Sequence, residues 1–155
     1  MPDFRFRAAA ALELRRRQEN DAGNVLVHAE ARFRHAQAAR QAAETQRRHA
    51  QTAQVEESRR GTDVATIEWH RNWIIRLAAT VERMQNDVDL KATAVQTAEG
   101  EWRDARRRRL VLERMKDRAW RRFQVEQQRQ ELKVIDELAR LRHTMADSAS
   151  ERNDS

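Results

Sequence analysis

The chain contains no cysteine and no tyrosine, and it has only one proline and three glycines among its 155 residues. Without cysteine it can form neither a disulfide framework nor a thiolate metal site, a composition that fits a reducing compartment. The proline is Pro2 and the glycines are Gly23, Gly61 and Gly100, so nearly the whole length is free of strong helix breakers. These absences predict long helices in place of a conventional globular core.

Long apolar runs are also missing. The longest are a few residues, far short of the ~20 needed to span a bilayer. In the opening stretch FRFRAAAALELRRRQE, residues 4–19, Arg5 and Arg7 alternate with phenylalanine and Glu13 ends the apolar run. A signal peptide would need an uninterrupted apolar segment there. We therefore expect a soluble, cytoplasmic protein whose opening stretch is part of its fold.

Charged residues and good helix formers dominate what is present. Charged residues make up 36% of the chain, with a net charge of +6. Ala, Glu, Lys, Leu and Arg together account for 81 of the 155 residues. Just over half of the chain in these five types is typical of long helices and coiled coils.

The strongest pattern is an apolar stripe with a period of 3.5 residues in the second half of the chain. Because this period keeps one helix face on a partner helix, it predicts a coiled-coil seam. Thirteen of its seventeen positions are apolar, and the stripe comprises Ile67, His70, Ile74, Leu77, Val81, Met84, Val88, Lys91, Val95, Ala98, Trp102, Ala105, Arg109, Leu112, Lys116, Ala119 and Phe123.

A weaker seam, rich in alanine, runs through the first half. Small side chains let two helix backbones approach closely, so the bulky seam residues of the second half can fill the space against them. The first-half seam comprises Ala8, Leu12, Ala22, Leu26, Ala29, Phe33, Ala36, Ala43 and Ala50, with Arg15, Glu19, Arg40 and Arg47 at intervening steps.

Between the two seams, the segment SRRGTDVATIE at residues 58–68 carries the signals of a helix end followed by a helix start. Gly61 can adopt the left-handed conformation that ends a helix, and the basic Arg59 and Arg60 suit its last turn. Thr62 or Asp63 can cap the next helix. We therefore predict a turn between two antiparallel helices.

The predicted fold class is all-α, a long antiparallel two-helix coiled coil, or helical hairpin, with an overhanging C-terminal helix. Its first helix covers residues 4–60, its turn 61–63 and its second helix 63–145, all in a single domain. A polar tail, residues 146–155, is predicted to be disordered.

Pairing about the turn places residue i opposite roughly residue 123 minus i, so Phe4 faces Ala119 and Trp120. The segment from about residue 121 to 145 then projects past the N-terminus as an unpaired helix. Beyond Phe123 the apolar stripe slips by one residue, which suggests a different partner for this last part.

Enzymatic motifs are absent from the sequence. His28 and His35 lie seven residues apart on one helix face, but no third ligand stands at a recognised spacing, and surface or seam histidines explain them. There is no Gly-rich phosphate loop, no zinc-protease motif and no nucleophile arrangement. We expect no catalytic residue, no cofactor, no metal site and no small-molecule substrate.

Two clusters invite an interaction. The basic run at residues 102–118 is interpreted as a solvated, partly salt-bridged helix face. Docking on an acidic protein surface is the next interpretation. Nucleic-acid binding is a less favoured alternative, because no recognised motif accompanies the charge. Trp69 and Trp73 lie four residues apart just after the turn. They are either packed over the turn or a hot spot for a partner.

Three segments together resemble the FliJ-type flagellar export proteins, the central stalk of the flagellar type III export ATPase. These are the opening FRFRAAAALELRRRQE, the middle EWRDARRRRLVLERMKDR, and ELKVIDELARLR at residues 131–142, which is similar to the family's C-terminal signature in Lys133, Asp136, Glu137, Leu138 and Ala139. The sequence departs from the family pattern at Ala8 to Ala11, where bulkier aliphatic residues are expected.

The resemblance implies a non-catalytic stalk whose open end enters a hexameric export ATPase and which also contacts the membrane export gate and export chaperones. It implies a place on the cytoplasmic side of the inner membrane at the flagellar base. A scaffold or stalk of a virulence-type secretion system is the nearest alternative. The implied ATPase-ring contacts are Phe4, Phe6, Leu12, Leu14, Arg15, Arg16, Leu132, Ile135, Asp136 and Glu137. The implied export-gate contacts are Trp69, Trp73, Leu77 and Met84.

Overall fold

The computed structural model describes residues 2–153 and contains two helices, α1 (Ala9–Arg60) and α2 (Val64–Asn153). The two long helices pack against each other, and no strand occurs in the part of the chain that is described. The predicted all-α fold is therefore confirmed. The chain divides into two units: unit 1 is described over residues 2–14 and 108–153, and unit 2 over residues 15–107.

The turn of unit 2 forms where the sequence predicts it. Gly61 has a φ of 77°, the left-handed conformation that ends α1 after Arg60. Asp63 caps α2, since its Oδ1 accepts a hydrogen bond from the Thr66 backbone N–H at 3.1 Å. The Asp63 carbonyl also accepts the first backbone hydrogen bond, from the Ile67 N–H at 3.3 Å. Of the two predicted caps, Asp63 is the one used.

Gly61 and Gly100 are expected to respond oppositely to alanine. Gly61→Ala forces a Cβ into the left-handed region and lowers the free energy of unfolding by about 1 kcal/mol. Gly100 lies within α2, and a Cβ there meets no atom within 4 Å, so Gly100→Ala raises it by roughly 0.5–1 kcal/mol. Urea titrations followed by circular dichroism measure both, and equal effects of the two variants would contradict the assigned turn.

The Asp63 cap makes the start of α2 sensitive to acid. Hydrogen bonds from the Thr66 side chain and backbone N–H lower the pKa of Asp63 below its ordinary value of 3.8. Because the ionised form is favoured in the folded state, the cap contributes fully above pH 3.8 and is lost as the pH falls through the lowered pKa. We expect the protection of the Thr66 amide from hydrogen exchange, measured against its intrinsic exchange rate, to fall in that acid range. In Asp63→Asn, which keeps a neutral cap, this acid-linked loss of protection should disappear.

The core of unit 2 is built from the predicted seam positions of both helices. The buried residues are Ala36, Ala43 and Ala50 of α1 and Leu77, Val88, Ala98 and Ala105 of α2. The predicted seams are therefore the buried faces, and alanine occurs on both of them. The seam charge Arg47 is accommodated by an ion pair, because its Nη2 lies 2.6 Å from Glu44 Oε1. This hydrogen bond holds the pKa of Glu44 below its usual value.

The register of the helices in unit 2 also follows the predicted rule. A Cβ built on Gly23 would lie 3.5 Å from two ring atoms of Trp102. The rule pairs residue 23 with residue 100, two positions away on the same helix. Glycine thus allows the indole to lie close against the α1 backbone, and the large residue fills the space that the small one leaves.

The N-terminal segment of unit 1 differs from the prediction, since α1 begins at Ala9 and not at residue 4. Phe4 and Phe6 precede the helix in an irregular segment that ends with a hydrogen bond from the Ala9 N–H to the Phe6 carbonyl at 3.2 Å. On a helix, two residues spaced by two would face nearly opposite sides. In the irregular segment, both rings are half-buried and line one groove.

The C-terminal boundary also differs from the prediction. α2 continues to Asn153, so the segment expected to be a disordered tail from residue 146 is helical as far as it is described. The last two residues of that predicted tail lie outside the described residues. No glycine or proline follows Gly100, and Ala146, Ala149 and Glu151 favour helix, so nothing in the local sequence ends α2 earlier.

Candidate protein-interaction surfaces

An aromatic cluster joins the irregular N-terminal segment of unit 1 to α2. The Phe4 ring lies 5.1 Å from that of Trp120 in an edge-to-face arrangement and 5.5 Å from that of Phe123. Trp120 and Phe123 are stacked with centroids 5.7 Å apart. Such pairs contribute beyond the burial of their area. The cluster confirms that Phe4 lies near Trp120 and fixes the N-terminal segment on α2.

A groove beside this cluster has an apolar floor and a basic rim. Phe4, Phe6, Met115, Ala119 and Phe123 supply the apolar lining. The charged residues that line it are Asp3, Arg5, Arg7, Arg118 and Arg122. An apolar floor with mostly cationic edges is suited to a protein surface that carries apolar and acidic groups.

Beyond the aromatic cluster, α2 continues with almost no cover. From residue 128 to residue 153 every residue of unit 1 is exposed. The large apolar side chains in this projecting segment, residues 124–153, are exposed by about half or more: Val125, Leu132, Val134, Ile135, Leu138, Leu141 and Met145. Single exposed apolar residues are ordinary, but several large ones along one uncovered helix usually mark an interaction site.

The residues implied as ATPase-ring contacts occupy different environments. Leu12 is 3% exposed and is part of the unit 1 core, whereas Leu14 is 53% exposed. Leu132, Ile135, Asp136 and Glu137 all lie exposed on the projecting segment, and Phe4 and Phe6 are half-buried in the cluster and groove. Arg15 and Arg16 belong to unit 2, where the half-buried Arg15 donates a hydrogen bond to Gln18 Oε1 at 2.9 Å.

The residues implied as export-gate contacts lie in unit 2 near the turn. Trp69 and Trp73 stack with ring centroids 6.3 Å apart and are 61% and 42% exposed. His70 packs edge-on against Trp69 at 5.1 Å. Leu77 is buried and Met84 is half-buried, so the accessible part of this set is the tryptophan pair.

Several cations of the basic run of α2 interact within the protein, as the interpretation of a partly salt-bridged face predicts. Arg103 and Arg107 of unit 2 pair with Glu99 and Asp104 at 3.5 and 3.6 Å. The Arg106 guanidinium lies over the Trp102 ring at 5.4 Å from its centroid. In unit 1, the seam residue Arg109 pairs with Glu113 at 2.8 Å.

The described residues contain neither a cluster of metal ligands nor a membrane-spanning helix. Within residues 2–153, no group of three or more potential ligands could hold a metal ion. His28 and His35 share a shallow groove with Asp87 and Lys91. Across the same residues, no helix is both apolar enough and long enough to cross a bilayer.

The sequence analysis did not single out Val134 and Met145, two exposed apolar residues of the projecting segment that share a helix face with Leu138 and Leu141. Their signal was the same three-and-four spacing that defined the seam, continued from Trp120 and Phe123 through Leu138 and Leu141. The polar Gln127 and Gln130 interrupt that spacing. The interruption made the stripe seem to slip by one residue beyond Phe123.

The class of the protein follows from these features: it is a two-helix protein that exposes apolar and aromatic side chains on both units. The family model described as Flagellar FliJ protein matches residues 9–147. The chain belongs to the FliJ family. This family comprises non-catalytic components of the flagellar type III export apparatus.

The fold is also found in a solved structure. The chain is similar to a putative YscO homolog from Chlamydia trachomatis, with a TM-score of 0.50 and 19% sequence identity. The match covers 94% of this chain and 99% of the other. At this identity, the similarity shows a shared fold. No curated protein sequence matches the chain.

Proposed function

We propose that this protein is the central stalk of a flagellar type III export ATPase. In this role unit 1 inserts into the hexameric ATPase, stabilises the ring and raises its rate of ATP hydrolysis, and the stalk itself carries out no catalysis. It works on the cytoplasmic side of the inner membrane at the flagellar base, where it also meets export chaperones. No nucleic acid takes part.

The single observation that carries this proposal is the projecting segment of unit 1 in a chain that matches the FliJ model over residues 9–147. In that segment the exposed apolar residues Leu132 and Ile135 are followed by the exposed charges Asp136 and Glu137. A helix that presents apolar and charged groups together supports insertion into a pore lined by other subunits. The sides of this helix also differ in chemistry, so it can contact the identical subunits of a ring differently and favour a different state in each.

For the export gate we propose the stacked pair Trp69 and Trp73 as the contact. Two partly exposed, rigid tryptophans form the kind of anchor that dominates protein interfaces. The other two implied contacts, the buried Leu77 and the half-buried Met84, offer less accessible surface. A gate-protein fragment should bind the wild-type chain and lose at least about tenfold in affinity with Trp69→Ala plus Trp73→Ala.

The proposed stalk function is tested with the purified cognate export ATPase. Adding this protein should raise the rate of ATP hydrolysis and shift the ATPase towards a hexamer in sedimentation. An unchanged rate together with an unchanged oligomeric state would rule out the stalk function. Loss of motility in a deletion strain, restored by the wild-type gene, distinguishes a flagellar from a virulence-type system.

A further inference from the structure

The projecting segment of unit 1 carries an apolar stripe that continues the aromatic cluster. Starting from Trp120 and Phe123, steps of three and four residues lead to Val134, Leu138, Leu141 and Met145. These last four residues, which we call the C-terminal stripe, are 55%, 53%, 56% and 69% exposed. The stripe therefore has the spacing of a coiled-coil seam, and no helix among the described residues of unit 1 covers it.

The C-terminal stripe is symmetric under reversal of the chain direction. Val134 and Met145 are centred on the same point as Leu138 and Leu141, midway between residues 139 and 140. If a second copy is laid against the first in the antiparallel direction, Val134 meets Met145 and Leu138 meets Leu141. Each apolar residue then faces an apolar residue, which is what a two-fold symmetric interface requires.

Charge complementarity selects the same direction. In the first part of the segment, Glu131 and Glu137 lie beside the stripe, whereas Asp136 lies on the far face with Leu132. Just past the centre lie Arg140 and Arg142, without an acidic residue before Asp147. Antiparallel pairing lays the acidic part of one copy on the basic part of the other, whereas parallel pairing would put like charges together.

We propose that the C-terminal stripe is a self-association surface, on which a second copy of this chain docks in the antiparallel direction. A pair of helices of about 20 residues buries less than the ~1,200 Å² of a stable interface. The dimer is therefore weak and concentration-dependent, with a dissociation constant on the order of 100 μM.

The stripe leaves the opposite side of the projecting segment accessible. Leu132 and Leu141 are nine residues apart, which at about 100° per residue places them on opposite faces of α2. Leu132, a proposed ring contact, therefore stays exposed in the dimer. Self-association and ring contact depend on different faces, so they can be separated by substitution.

Sedimentation equilibrium of the full-length protein over about 10–300 μM, without the ATPase, tests the proposal. The wild-type chain should show a monomer–dimer equilibrium. Leu141→Asp should weaken it at least about tenfold, and Leu132→Asp, a matched change at similar exposure on the other face, should leave it unchanged. A wild-type chain that stays monomeric throughout, or equal loss in both variants, would overturn the proposal.

Because the chain has no cysteine, the direction of pairing can be read from disulfide cross-links. A mixture of Val134→Cys and Met145→Cys chains should form mixed disulfide dimers on mild oxidation. Either variant alone should form few. Cross-linking of Val134→Cys to itself, without mixed dimers, would show parallel pairing and overturn the proposal. Since neither measurement involves ATP hydrolysis, the outcome is independent of the proposed stalk function.

Discussion

Replacing Leu12 with aspartate is expected to lower the melting temperature of the protein by roughly 10 °C. Leu12 is 3% exposed in the core of unit 1, so the change removes a buried leucine and leaves a carboxylate without water. The lost burial and the desolvated charge together cost about 3–5 kcal/mol. For a chain of this size, each kcal/mol corresponds to about 2–4 °C. Thermal scans of helicity by circular dichroism measure the shift.

Leu14→Asp is the matched control for this prediction. Leu14 lies two residues further along α1 in the same unit and is 53% exposed, so its carboxylate remains in water. Its effect should stay within about 0.5 kcal/mol, as for most surface substitutions. If the two variants melted at the same temperature, the assignment of Leu12 to the core of unit 1 would be wrong.

Replacing Leu132 and Ile135 together with aspartate is expected to abolish stimulation of the export ATPase while helicity is retained. Both side chains are about 60% exposed, so the double variant should fold like the wild-type chain. Two carboxylates would have to be desolvated against the ring, and the apolar contact would be lost. The rate of ATP hydrolysis with this variant should approach that of the ATPase alone.

The structure explains why this pair tests the ring contact better than a variant that includes Leu12. A change at Leu12 disturbs the core of unit 1, so lost stimulation could come from unfolding alone. The control for surface charge is Val27→Asp with Leu90→Asp, two exposed positions of unit 2. It should stimulate like the wild-type chain. Equal activity of both double variants would remove the projecting segment from the proposed contact.

The seam of α2 shows what could be predicted from local pattern. Of its seventeen predicted positions, all except Ile67 are buried or half-buried. The turn was predictable for the same reason, because Gly61 and Asp63 act through their own backbone and nearest neighbours. Periodicity and local chemistry are properties of the sequence itself, and they need no tertiary information.

The N-terminal segment shows where local pattern was insufficient. Phe4 and Phe6 precede four alanines, a context that favours a helix. The segment is irregular instead, and in it the Phe4 ring contacts Trp120 and Phe123. Those partners lie more than 110 residues away along the chain. The energy of this long-range packing, set against that of the hydrogen bonds in one more helical turn, cannot be read from a local pattern.

The sequence by itself therefore determined the helical class, the turn, the register and the family, because each depends on residue type at a fixed spacing. Only the tertiary structure decided which members of the proposed sites are accessible: Leu12 and Leu77 are buried, while Leu132, Trp69 and the C-terminal stripe are exposed. The physical reason is that an apolar residue looks the same in the sequence whether it lies in the core or on an exposed interaction surface. Whether it is core or interface depends on whether another part of the chain covers it.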